Sequence, residues 1–200
     1  NRILVQGHVK DLIEAPVWDV ELRTEELKPG RLIAALDPLV RGIPGDLFLE
    51  GPVSVSVRSS GNRESFQVDG QADMDHLKVQ YAGHVHKAAG VPLSLSLKGS
   101  VEEARIITLN NLRMQLDRLV LDTTGEVVTG DQVRFGLLTQ SRTAPLDGWE
   151  GVLPVLAPYD LSGSCLLRLS TRGTLEKPAL NLSLTSERIG FSLPPSPEKG

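Results

Sequence analysis

The stretch RTAPLDGWEGVLPVLAPYDLSGSCLLRLSTRGTLEKPALNLSLTSERIGFSL, residues 142–193, decides how this chain is read. Leu146, Trp149, Leu153 and Leu156 recur at i, i+3, i+7 and i+10, a helical stripe that Pro154 and Pro158 keep short and kinked. The period then drops to two. Leu167 and Leu169 alternate with Arg168 and Ser170, Gly173 is read as a turn, and Leu180, Leu182 and Leu184 alternate with Asn181, Ser183 and Thr185. The stretch is thus a broken helix followed by two strands, each with one apolar face.

Residues 24–61 follow the same plan. Leu32, Ile33, Leu36 and Leu39 fall at helical spacing after Thr24, Glu25 and Glu26, with Pro29 and Gly30 near the start. Pro38 and the run Gly42-Ile43-Pro44-Gly45 end or kink that helix. Val53, Val55 and Val57 then alternate with Ser54, Ser56 and Arg58, and Ser59-Ser60-Gly61-Asn62 is read as the turn into Phe66 and Val68. Pro38 pairs with Pro158, Gly45 with Gly163 and Gly61 with Gly173. Two readings stay open: an imperfect repeat with units starting near 24 and 142, or two unrelated helix-plus-hairpin pieces of one β domain.

The rest of the chain reads as strands. Ile3, Val5 and Val9 alternate with polar neighbours, as do Trp18, Val20 and Leu22, with a turn or edge position at Glu14-Ala15-Pro16. Leu77, Val79 and Tyr81 follow, then Leu93, Leu95 and Leu97 opposite Ser94, Ser96 and Lys98. Leu112, Met114 and Leu116 share one parity and Leu119 and Leu121 the other, which requires a bulge or turn at Asp117-Arg118. Thr123-Thr124-Gly125 and Gly130-Asp131 are read as punctuating two further strands, around Val127 and around Val133, Phe135 and Leu137. The fold expected is mainly β with two short helices. It is a curved antiparallel sheet, an open U-shaped groove or a sandwich, capped by Leu32, Leu36, Trp149, Leu153 and Leu156. Residues 1–193 form one β-rich segment and 194–200 an extended Pro-rich tail.

Composition narrows the function classes. A 200-residue chain buries about 70% of the area it exposes when unfolded, enough for a core. The 21 basic residues are scattered against 25 acidic ones, net charge −4, which argues against nucleic acid or a polybasic membrane patch. Aromatics are only 4%, leaving little stacking surface for sugars or bases. No run reaches the ~18 apolar residues of a membrane span. The sequence reads as an excised piece, with any signal or anchor lying outside it. The single cysteine, Cys165, has no internal partner and is expected as a small buried apolar residue.

No catalytic motif is present: there is no GxSxG, GxxxxGK[ST], HExxH or CxxC. His84-Val85-His86 sets two imidazoles on one strand face, with His76 and Asp75 near in sequence, but no third ligand stands at a diagnostic spacing. Asp73 and Asp75 share a face as a solvated pair rather than an acid/base dyad. Asn181-Leu182-Ser183 fits a glycosylation sequon inside a strand. The expectation is a protein that is not an enzyme and needs no cofactor or metal.

The run LAPYDLSGSCLLRLSTRGTLEKPALNLSLTSERIGF, with its YDLSG entry and Gly-Thr-Leu-x-x-Pro-x-Leu turn, resembles the C-terminal β-rich part of AsmA-like proteins of Gram-negative envelopes. ITLNNLRMQLDRLVLDTTGEVV resembles the strand pair that precedes it in that family. The resemblance, to a family related to TamB-type and bridge-like lipid transfer proteins, extends over residues 24–193. It implies a long U-shaped sheet in a periplasmic protein whose parent chain is anchored in the inner membrane. It further implies a role in lipid transport or outer-membrane biogenesis, with phospholipid or another acyl lipid and other envelope proteins as partners. The candidate lining of a lipid groove is Val53, Val55, Val57, Leu93, Leu95, Leu97, Leu112, Met114, Leu116, Leu180, Leu182 and Leu184. An acyl chain needs only apolar area, about 0.8 kcal/mol per buried methylene, so a site of this kind carries no chemical signature. The competing reading is a structural or protein-binding β-sandwich module in which those residues are closed core.

Overall fold

A computed structural model describes residues 2–30 and 46–192. Among the described residues the chain is mainly β: antiparallel open sheets, not closed into a barrel. The strands are β1 (Arg2–Lys10), β2 (Val17–Leu27), β3 (Leu47–Glu50), β4 (Val53–Asn62), β5 (Phe66–Asp73), β6 (Lys78–Tyr81) and β7 (Val85–Lys87). They continue with β8 (Leu93–Glu102), β9 (Ile106–Leu116), β10 (Leu119–Val128), β11 (Arg134–Ser141), β12 (Ala144–Pro145), β13 (Ser162–Thr174) and β14 (Pro178–Gly190). Eleven of them make one sheet in the order β1-β2-β4-β5-β8-β9-β10-β11-β13-β14, with the short β12 beside β13; β3, β6 and β7 form a second, three-stranded sheet.

The two ends of the large sheet differ. At one end tight turns join β1 to β2, β4 to β5, β8 to β9, β10 to β11 and β13 to β14. In the β4–β5 turn Asn62 Oδ1 accepts from the backbone N–H of Glu64 (2.9 Å) and Ser65 (2.8 Å), a side chain substituting for a backbone acceptor. At the other end lie the long connections: 28–52 before β4, 74–92 before β8 and 142–161 before β13. The small sheet is built from the first two of these.

Burial follows this asymmetry. Val53, Leu77, Ala144 and Val152, together with Pro29, are the buried apolar residues among those described, with Thr24, Lys87 and Ser141 as buried polar ones, and all sit at the end carrying the long connections. Lys87, 1% exposed, donates to the carbonyls of Asp75 (3.0 Å), Leu77 (2.6 Å) and Ala88 (3.3 Å), so its ammonium gathers the 74–92 connection around itself. Burial lowers its pKa, and Asp75 and Asp73 partly offset that. The neighbouring connection joins on through the His86 N–H, which donates to the Val152 carbonyl at 2.8 Å.

Several expectations need correction. Residues 142–161 hold no α-helix but two 3-10 segments, Trp149–Gly151 and Pro154–Tyr159, because prolines at 154 and 158 and glycines at 148 and 151 interrupt the ladder. Trp149, Leu153 and Leu156 are half-buried there, and the buried residue is Val152, off the anticipated stripe. Trp149 Nε1–H instead donates to the Pro145 carbonyl at 2.8 Å. Thr24 does not begin a helix: β2 runs to Leu27 with a bulge at Glu25-Glu26, Glu26 having φ 53°. Leu32 and Leu36 lie outside the described residues, as does the tail 194–200.

Gly61, Gly125 and Gly173 do not break strands; β4, β10 and β13 run through them. At Asp117-Arg118 the chain makes a two-residue hairpin turn, with Leu116 paired to Leu119 and Asp117 at φ 50°. Val133 lies just before β11. Cys165 is half-buried, not fully buried, at a bulge between Ser164 and Leu166.

Candidate functional site

In an antiparallel pair, directly opposed residues share a face, so the registers define which side chains line each side of the large sheet. One row runs Val5, Leu22, Val57, Gly70, Leu97, Leu112, Thr123, Thr139, Leu169, Leu182, one residue from each of ten strands. The next runs Ile3, Thr24, Val55, Ala72, Leu95, Met114, Leu121, Ser141, and resumes with the pair Leu167 and Leu184. Charged residues are absent from both. At ~4.8 Å per strand, ten strands make an apolar band about 43 Å long, running across the strands rather than along them.

The opposite face is polar. Leu4, Arg23, Ser56, Gln71, Ser96, Arg113, Asp122, Gln140, Arg168 and Ser183 form one of its rows. Cross-strand ion pairs tie it together: Arg58 to Asp19 (2.7 Å), Arg113 to Asp122 (2.7 Å) and Lys98 to Asp69 (3.5 Å). The hydrogen bond from Arg58 holds the Asp19 carboxyl below its ordinary value, and that from Arg23 does the same for Glu21. Asp122 in turn raises the pKa of Arg113.

All twelve candidate lining residues lie on the apolar face. Val53 is an exception in use, since at 1% exposure it belongs to the packed end and cannot line an open surface. Leu95 is 37% exposed, and Leu180, Leu182 and Leu184 are 69, 64 and 57% exposed. Leu93, Leu97, Leu112, Met114 and Leu116 are half-buried. Sequence reading missed further members of the face. Ile107 and Leu109 join it because a bulge at Lys98/Gly99, with Asn110 as the extra residue, changes the parity of β9. Trp18, Val20 and Leu22 had the right alternation, but nothing in the sequence placed β2 beside β4.

The polar candidates do not assemble. Asp73 Oδ1 accepts from the Asp75 N–H (3.0 Å) and Asp75 Oδ1 from the Leu93 N–H (2.7 Å), so these carboxylates organise a turn rather than a dyad. His84 lies in the turn between β6 and β7 and His86 in β7, both exposed. Among the described residues no group of three His, Cys, Asp or Glu is placed to hold a metal, and no helix is long and apolar enough to cross a membrane. Asn181 stands exposed in β14. Comparison with protein-family models, with curated proteins and with solved structures finds no match to this chain.

Proposed function

We propose that this protein binds acyl chains passively on the apolar face of its large sheet, as a non-enzymatic segment of a Gram-negative envelope protein engaged in lipid transport or outer-membrane biogenesis. The observation that carries the reading is the one-sided sheet: uncharged, mainly apolar rows that cross the strands, and side chains such as Leu95 and Leu182 left 37% and 64% exposed. A closed sandwich core of this length would bury its mid-face leucines. Among the described residues the buried apolar side chains gather at one end of the sheet instead. On this reading the sheet curves into a U-shaped groove, and the 3-10 segments with the small sheet close one margin of it.

The periplasmic setting, the inner-membrane anchor of the parent chain and the lipid and envelope-protein partners rest on the resemblance of residues 24–193 to AsmA-like proteins. Physical chemistry is consistent with the ligand class: a chain of roughly 16 carbons could gain on the order of 10 kcal/mol from apolar burial alone. The test is native mass spectrometry of protein purified without detergent. Phospholipid or fatty-acid adducts that exchange with added lipid are expected. Adduct-free protein that also fails to bind a fluorescent fatty acid would sink the proposal and leave the protein-binding module as the better account.

A further inference from the structure

We infer that the end of the large sheet formed by the tight turns docks on a phospholipid bilayer, with Leu12 and Ile13 at the β1–β2 tip and Leu175 at the β13–β14 tip entering its interface. These are the three most exposed large apolar side chains among the described residues: Ile13 is 90%, Leu175 74% and Leu12 72% exposed. All three stand at the end of the sheet opposite the long connections. At such exposure they add little to the core, so packing does not account for them.

The three tips between them are built differently. They carry Arg63 and Glu64, Glu103 and Arg105, and Asp131. Backbone bonds join them, the Ala104 N–H donating to the Glu64 carbonyl (2.9 Å) and the Thr129 N–H to the Arg105 carbonyl (2.8 Å). Among the described residues no such bond ties either outer tip to another tip. A bilayer fits this pattern better than a protein pocket. The outer tips lie eight strand spacings apart, about 38 Å along the sheet, and a fluid surface takes up both at once whatever their separation. Trp18, Phe66 and Phe135, the aromatic residues in the strands of the large sheet, all fall in the row of the apolar face nearest the tips, where rings would meet the headgroup layer. Charges beside the apolar tips nearly cancel, Lys10 against Asp11 and Glu14, and Lys177 against Glu176. Attachment is therefore apolar and needs no anionic lipid. The inference stands whether or not the apolar face carries an acyl chain.

Flotation of the 200-residue chain with phosphatidylcholine vesicles tests it. Binding is expected without anionic lipid and unchanged by added salt. Leu175→Asp should weaken it about tenfold and Leu12→Asp/Ile13→Asp by more, the loss that follows from keeping one or two apolar side chains out of the bilayer. Both variants should keep the parent melting temperature, since the altered side chains are exposed. Leu95→Asp, on the apolar face, should leave flotation intact. In a Cys165→Ser background, a nitrobenzoxadiazole label at Ala15→Cys should shift to the blue when vesicles are added. Any one of three results overturns the inference: no flotation at any lipid concentration, which leaves the tips to a protein partner; flotation that the tip changes do not weaken; or a label at position 15 that vesicles do not shift. Lipid adducts of the apolar face are read separately by native mass spectrometry, so the two readings fail independently.

Discussion

The rings of Trp18 and Phe66 meet across Gly61, their centroids 5.7 Å apart and their planes at 49°, although the glycine lies between them in the row. Trp18 Nε1–H donates to Ser59 Oγ at 3.0 Å on the same face. Gly61 has φ 144°, and a Cβ there would come within 2.4 Å of the Ser65 carbonyl oxygen. Gly173 repeats the arrangement at the corresponding end of β13, with φ 121° and the Lys177 carbonyl at 2.4 Å. Gly61→Ala and Gly173→Ala should each cost about 3 kcal/mol in urea unfolding. Gly136→Ala, where a Cβ meets nothing within 4 Å, should stay within about 0.5 kcal/mol of the parent.

Placing a carboxylate at different points of the apolar face should separate packed end from open band. Val53→Asp buries an unpaired charge and is expected to lose about 4 kcal/mol or fail to fold. Leu182→Asp, at a side chain 64% exposed, should cost less than about 1 kcal/mol. Leu95→Asp should leave the melting temperature nearly unchanged while abolishing lipid adducts in native mass spectra. Unfolding at Leu95 would instead mark it as core.

Lys87 holds three backbone carbonyls, and Lys87→Ala leaves them without their donor. A loss of about 3 kcal/mol is expected, read by thermal unfolding. The pH dependence has a definite sign. Burial depresses the folded-state pKa of this base below its ordinary 10.5, so between the two values the unfolded chain binds more protons. Stability contributed here should therefore rise as pH climbs through the folded pKa toward 10.5. In Lys87→Met that rise should be absent.

Acid should act on the opposite face. Asp19 and Glu21 have folded pKa values below their ordinary 3.8 and 4.5, so their contribution is complete above those values and declines as pH falls through the lowered ones. Both carboxylates are partly open to solvent, their side chains 34% and 22% exposed, and salt should screen the effect. In Asp19→Asn the acid limb of the stability curve should become shallower, measurable by urea midpoints across pH 2 to 5, a range set by these carboxylate values.

Strand alternation was readable wherever period two was uninterrupted: Val53/Val55/Val57, Leu93/Leu95/Leu97 and Leu180/Leu182/Leu184 stand in strands with those leucines and valines on a common face. Element ends were harder. Gly61 and Gly173 were read as turns because glycine usually marks one, whereas here it serves close backbone approach inside a strand. The stripe Leu146/Trp149/Leu153/Leu156 has helical spacing, but proline removes the donors an α-helix needs, and 3-10 turns result. Membership of Ile107 and Leu109 in the apolar face depends on a bulge at an unremarkable asparagine, and nothing in the sequence distinguishes the buried Lys87 from a surface lysine. Neither the bulge nor the carbonyl cluster has a local sequence signal; both arise from which strands become neighbours.

Because the apolar rows cross the strands, the length of the band is set by how many hairpins the sheet contains and its breadth by how long each strand is. Each added hairpin would extend the band by about 9.6 Å without altering its cross-section. Tandem duplication of a strand pair such as β8–β9, joined at its tip by a short turn, would thus lengthen the band, while sequence drift along any one strand leaves its length unchanged.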